Sequence, residues 1–224
     1  MTFLSRILSF FPAFVLVTIA VAFLYLCIAP GVLSILALLF SFYGFPLLVF
    51  RLHNVFYPLQ EGISDLIGPT YSPWWGSHQI QSLYIAFPAL ESILRLIPGA
   101  FSLWLRLWGA RIGRSVYWTP KLEIADRSLL EIGDRVIFGY QIALCSHIIK
   151  PRRQNLMLYV RRIKIGSEAF LGSGSYIGPG VEIEAGTSVP IASHLYLNTK
   201  VQEASVTDQT TYSNETDGGD GDDE

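Results

Sequence analysis

Charge is scarce in this chain. Only 15% of its 224 residues are Asp, Glu, Lys or Arg, while 51% are hydrophobic. Soluble domains carry about 25% charge, so a wholly soluble protein is excluded. Cysteine is scarcer still. Cys27 and Cys145 are the two present, too few for a disulfide framework or a Cys-rich zinc site, and the chain does not depend on an oxidising compartment. Of the four histidines, His53 is expected to be juxtamembrane and His78 to lie in a loop-like segment, both structural or interfacial. That leaves His147 and His194, too few for a catalytic zinc with three protein ligands, and no metal is expected. No phosphate-binding glycine loop, serine elbow or dinucleotide motif occurs. Residues 1–202 hold all 16 Lys and Arg and 10 of the 18 acids, a net +6. The flanks of apolar runs account for that excess, so nucleic-acid binding has no support. Residues 203–224 hold the other eight acids and no base. They lack apolar content and are expected to be disordered.

The longest absence is the 44 residues from Ile7 to Phe50, which contain no charge. A membrane-spanning helix needs about 20 apolar residues, so this run fits two. Pro30-Gly31 near its middle ends one helix and turns the chain. The pattern predicts spans over Ile7–Ile28 and Val32–Phe50, with Pro12 and Pro46 near their outer ends. A signal peptide has a shorter apolar region. Arg6 and Arg51 flank the hairpin on one side, and a basic body follows. The positive-inside rule then predicts both termini and the body in the cytoplasm. Residues 54–85 read as loop-like, with Trp74-Trp75 as an interfacial contact. Residues 86–108, divided by Pro88 and Pro98, suit short interfacial helices with Trp104 and Trp108 at headgroup depth. Packing against the body as an end cap is the alternative.

The body repeats every six residues. From Ile112 the chain reads IGRSVY, WTPKLE, IADRSL; from Ile132, IGDRVI, FGYQIA, LCSHII; from Ile165, IGSEAF, LGSGSY, IGPGVE, IEAGTS, VPIASH. All eleven hexads open on a large apolar residue, and six carry glycine second. A period of six fits a short strand plus a tight turn. First and fifth positions should point inward, and the second-position glycine should supply the backbone freedom of the turn. Three such sides close a triangular coil of 18 residues, and coils stack at about 4.8 Å. Leu130-Glu131 interrupt the register. So do residues 150–164, a basic loop (Lys150-Pro151-Arg152-Arg153) followed by YVRRIK with Tyr159 and Ile163 inward.

Residues 112–195 resemble the hexapeptide-repeat acyltransferases. The run IGSEAFLGSGSYIGPGVEIEAGTSV is similar to the C-terminal coils of galactoside, maltose and serine O-acetyltransferases. WGARIGRSV and LLEIGDRVIFGYQIALCSH resemble membrane-linked bacterial members, among them the terminal region of poly-lysine synthetases. The resemblance implies a left-handed parallel β-helix, an acyl-CoA co-substrate with no permanent cofactor, and a homotrimer with active sites between subunits. It also implies a histidine after Ser or Thr at a coil corner as general base, here His147 after Ser146. An unperturbed imidazole, titrating near 6.5, suits that task. Gly172 and Ser173 match the residues whose N–H groups face the thioester carbonyl. Arg161 and Arg162 are expected at the CoA phosphates, and Ser146, Arg152 and Arg153 at the acceptor.

The expected architecture is therefore a two-helix transmembrane hairpin (1–51), a linker with interfacial amphipathic helices (52–109), an all-β left-handed parallel β-helix (110–202) and an acidic tail (203–224). The expected function is acyl transfer from CoA to a hydroxyl or amine of an envelope precursor, such as a lipid-linked sugar or polysaccharide, at the bacterial inner membrane. The alternative is a non-catalytic scaffold of a membrane-bound biosynthetic complex, with lipid as a partner in either case.

Overall fold

The computed structural model of the chain describes residues 1–153 and 155–202. The tail expected to be disordered, 203–224, lies outside them. Helices α1 (Phe3–Ser9) and α2 (Phe11–Ile28) form one rod. Helices α3 (Val32–Leu39) and α4 (Phe45–Phe56), joined by a π turn at Phe40–Gly44, form its return. Both rods, Phe3–Ile28 and Val32–Phe56, are long and apolar enough to cross a membrane. The Ser34 hydroxyl ties the bend, accepting from Gly31 N at 3.0 Å and donating to Ala29 O at 2.9 Å. The second rod runs past its expected end at Phe50, so Pro46 lies inside the rod. Proline has no N–H for the carbonyl four residues earlier. That carbonyl, Phe42 O, accepts instead from the Tyr84 hydroxyl at 2.7 Å.

The segment expected to be loop-like contains strand β1 (Gly62–Asp65) and helix α5 (Pro73–Ala86), followed by α6 (Ala89–Arg95) and α7 (Ala100–Leu107). Trp104 and Trp108, expected at headgroup depth, are buried inside the protein with Phe101 and Leu105. Trp108 packs on Phe50 of the hairpin at 4.7 Å between centroids, and Phe101 on Trp118 of the first coil at 5.1 Å. A buried ion pair locks this cap. Arg127 Nε and Nη2 donate to Glu91 Oε1 and Oε2 at 2.6 and 2.9 Å, and Trp104 Nε1 donates to Glu91 Oε1 at 2.9 Å.

The hexads wind through three parallel sheets in rotation. The first sheet stacks β2 (Arg111–Ile112), β4 (Leu130–Ile132), β9 (Ile163–Ile165), β12 (Glu182–Ile183) and β15 (Lys200–Val201). The second stacks β5 (Ile137–Phe138), β10 (Phe170–Leu171) and β13 (Ser188–Val189). The third stacks β3 (Glu123–Ile124), β6 (Ala143–Leu144), β11 (Tyr176–Ile177) and β14 (His194–Leu195). Ile165, Ile183 and Val201 pair in register, 18 residues apart. Ile112, Ile124, Phe138, Leu144, Leu171 and Ile177 are all core residues, in one apolar cluster that continues through the cap into Phe11, Val15 and Phe50 of the hairpin.

The glycines serve a different purpose from the one expected. Second-position glycines have ordinary φ, and the left-handed residues stand at fourth positions: Ser115, Arg135, Gln141, Glu168, Gly174, Gly180, Gly186 and Ala192. The second position needs glycine because the next coil passes too close. A Cβ on Gly139 would sit 2.6 Å from Ser173 N.

The basic segment at 150–153 is not a loop but part of an antiparallel hairpin, β7 (His147–Arg152) with β8 (Asn155–Val160), to which β1 adds a third strand. Pairing sets its sides. Leu158 and Val160 are buried, whereas Tyr159 and Ile148, expected inward, are half-buried. The two pair with one another across the hairpin.

Candidate active site

Three hexads fail to make the left-handed turn at their fourth position, and two of them frame the site. One is IADRSL, which turns instead through a short 3-10 segment at Arg127–Leu129. The other is LCSHII, whose fourth residue, His147, opens β7. The irregular stretches stack, because Ile124 pairs with Leu144. This brings Asp126 to His147, with His147 Nδ1 donating to Asp126 Oδ2 at 2.7 Å. Asp126 is buried. Its Oδ2 also accepts from Ser146 N at 3.1 Å, and its Oδ1 from Trp74 Nε1 at 2.9 Å.

Helix α5 roofs the pair. Pro73 starts it, where a missing N–H costs nothing, and Trp74 and His78, four residues apart, share a face. Their rings stack at 4.8 Å. Trp74 lies 4.5 Å from the His147 ring and His78 5.4 Å from it, nearly edge-on. Trp74 is buried here, not at a membrane surface. His78, expected apart from the chemistry, belongs to the site. On the other side, Cys145 Sγ donates to the His147 carbonyl at 3.3 Å and lies 3.7 Å from Nδ1.

Electrostatics follow from this packing. Burial lowers the His147 pKa, but the hydrogen bond to Asp126, that to Cys145 and the charges of both outweigh it and raise it to about 10. Burial pushes the Asp126 carboxyl up, and the hydrogen bonds from His147 and Trp74 with the positive charge nearby hold it below its ordinary value. Burial raises the Cys145 thiol, and His147 brings it net down. Burial lowers His78, which keeps that ring neutral. With Nδ1 committed to Asp126, Nε2 is the atom of His147 left for proton transfer. His78, Asp126 and His147 also offer three ligand atoms within 4.8 Å of one another, a donor set known for divalent cations. Both Asp126 oxygens already accept N–H bonds, which makes the arrangement an imidazole oriented by a carboxylate.

The other expected site residues are placed as follows. Ser146 is fully buried with its hydroxyl donating to Leu129 O at 3.2 Å, so it faces the interior and not an acceptor. Gly172 N donates to Val189 O at 2.8 Å within the coil ladder, so that N–H is committed. Ser173 accepts from Tyr140 N at 3.0 Å. Both lie at the corner after the second sheet, whereas His147 follows the third. Arg162 pairs with Glu61 at 3.5 Å and donates to Ser128 O and Leu130 O. Arg161 donates to Asn198 at 3.1 Å, and Arg152 contacts Met157 near the hairpin tip with Arg153 beyond it. His194 is exposed beside Tyr176, in another part of the third sheet.

No family model and no curated protein matches the chain. Among solved structures it is similar to hexapeptide-repeat acetyltransferases. A maltose O-acetyltransferase from Clostridium difficile shares 14% identity over 51% of this chain and 75% of its own, with a TM-score of 0.38. A hexapeptide-repeat acetyltransferase from Vibrio cholerae shares 13% over 51% and 84%, with a TM-score of 0.35. A galactoside acetyltransferase in complex with coenzyme A shares 15% over 49% and 72%, with a TM-score of 0.34.

Proposed function

We propose that the protein is a membrane-anchored acyltransferase with a left-handed β-helix, of the membrane-linked bacterial type of the hexapeptide-repeat superfamily. It moves an acyl group from a CoA thioester to a hydroxyl or amine of an envelope precursor. The observation that carries this reading is the Asp126–His147 pair at a coil corner, roofed by α5, beside an apolar hairpin. His147 Nε2 takes the acceptor proton as the acceptor oxygen attacks the thioester carbonyl carbon. The tetrahedral intermediate then collapses, the C–S bond breaks, and the CoA sulfur leaves with the proton returned by the imidazolium. Asp126 fixes the ring and makes it a stronger base. The raised pKa holds a proton on the ring at pH 7, and that proton must be lost before the imidazole can act as a base.

Homotrimeric assembly fits two features. Tyr117, Ile137 and Phe170 form an exposed apolar row along the second sheet, suited to side-by-side packing. Gly172 and Ser173 lie at another corner from His147, so a site that uses both corners requires a neighbouring subunit. Arg6 and Arg51 support both termini and the coil at the cytoplasmic face of the bacterial inner membrane.

The test is CoA release from acyl-CoA by the full chain in nanodiscs with lipid-linked sugar acceptors, together with native mass measurement. The expected result is turnover by a trimer that falls by about 10²–10⁴ in His147→Gln. Wild-type turnover in that variant rules out the catalytic role. Absence of CoA release with every acceptor makes the protein a scaffold of a membrane-bound biosynthetic complex.

A further inference from the structure

A cleft of about 230 Å³ lies between the outer surface of the third sheet and the elbow joining α5 to α6. Ile85 and Pro88 wall it on the helical side, and Ala143 and Tyr176 on the sheet side. Glu91 and Glu123 also border it; the Glu91 carboxylate is neutralised by the two-pronged bond from Arg127, and Glu123 is exposed to solvent. One end of the cleft is formed by Ala125 and Cys145, the residues immediately before Asp126 and next but one before His147. The elbow that walls the cleft also docks the membrane hairpin, through Tyr84 to Phe42 O at 2.7 Å and Tyr43 to Leu90 O at 2.9 Å. The cleft is thus mostly apolar, shares its helical wall with the elbow that docks the hairpin, and reaches Cys145, whose Sγ lies 3.7 Å from His147 Nδ1.

We infer that this cleft binds a linear aliphatic chain, placing its functionalised end at His147. A water occupies about 30 Å³ of liquid and a methylene slightly less, so the cleft accepts about eight carbons. Polar groups are few along these walls, Glu123 and the Tyr176 hydroxyl among them, so the walls favour an alkyl chain over a polar sugar or the pantetheine amides. Two molecules present such a chain: a donor thioester with a medium-length acyl group, and an acceptor with a lipid tail. The inference rests on the acyltransferase reading only for which molecule carries the chain.

Cys145 lines the cleft and reports occupancy without turnover. The full chain carrying Cys27→Ser, in nanodiscs, is labelled with a water-soluble maleimide in the presence of CoA, acetyl-CoA, octanoyl-CoA or 1-octanol. Each buried methylene strengthens binding about fourfold, so octanoyl-CoA should protect Cys145 at less than about one-hundredth of the acetyl-CoA concentration. Protection by octanoyl-CoA with none from octanol assigns the chain to the donor. Equal protection by both assigns it to a lipid acceptor. Protection by CoA as strong as by octanoyl-CoA, or by no compound, overturns the inference. Ala143→Phe, which fills the cleft, should abolish chain-dependent protection. Ile85→Asp, on the exposed wall where folding tolerates it, should weaken protection at least tenfold. Retained protection in both variants places the chain elsewhere and also overturns the inference. Because labelling reads binding alone, a protein that releases no CoA still gives a decisive result.

Discussion

His147 Nδ1 lies 2.7 Å from Asp126 Oδ2, although 21 residues separate them in sequence. They meet because each follows a strand of the same sheet in successive coils, at two corners that both abandon the left-handed turn. The pair couples titration, stability and chemistry in one place.

Acyl transfer should rise with pH from 7 towards 10, because His147, raised to about 10, must lose its proton to act. The sequence alone suggests a limb near 6.5, and the carboxylate moves it. Asp126→Asn removes the largest raising cause, so its acid limb should move down by at least about one unit. A pH–rate profile of both proteins checks this. An unmoved limb would show that Asp126 does not set the titration.

Stability should follow the same pair with two opposite signs. The folded pKa of His147 is above its unfolded value, so its contribution is full below about pH 6.5 and is lost as pH rises through about 10. That of Asp126 is depressed, so its contribution is full above about pH 4 and is lost as pH falls through the lowered value. Thermal unfolding in nanodiscs should show wild type most favoured over His147→Gln between about pH 4 and 6.5, with the gap closing towards pH 10. A pH-independent gap would contradict the ion pair.

Glu91→Gln should destabilise the cap by about 3–5 kcal/mol, because it strands the buried Arg127 and Arg95; Arg127→Met should cost less, because Arg95 remains 3.8 Å from Glu91. The double variant Glu91→Gln with Arg127→Met leaves Arg95 as the buried charge and should lose less than the sum of the two single variants. Melting temperatures of the three variants form a double-mutant cycle. Additive losses would mean that the bond between Glu91 and Arg127 is not the coupling.

Gly139→Ala should destabilise the coil by more than about 2 kcal/mol, since the added methyl meets the Ser173 backbone at 2.6 Å and no side chain can yield. Gly186→Ala is the comparison. There a Cβ meets nothing within 4 Å and the cost arises from φ of +73° alone, about 1–2 kcal/mol. Equal losses at the two positions would remove the distinction between close approach and backbone conformation.

The hexad pattern was legible in the sequence because a repeating coil writes its period directly: Ile165, Leu171, Ile177, Ile183 and Val189 recur every six residues and all are buried. The uncharged run from Ile7 was legible for the same reason, since a long apolar helix is a local property. His147 was marked by the resemblance of Ser146-His147 to the family's histidine at a coil corner, and by its outward fourth place in its hexad. Its partners were not. Asp126 and Arg127 sit in a hexad whose turn is replaced by a 3-10 segment, and which of them faces the imidazole and which faces Glu91 depends on a corner geometry that period alone does not carry. Trp74 and His78 arrive on a helix whose sequence has little amphipathic pattern because most of its surface is covered from several sides. Residues 150–153 read as a basic loop and 159–164 as a hexad, because the strand that completes their sheet, β1, lies some 90 residues earlier in the chain. Repetition and hydropathy act between neighbours in sequence and so can be read from it. The pairing of a carboxylate, an imidazole and an indole depends on where stacked coils and a returning helix cross, and only the tertiary structure decides that.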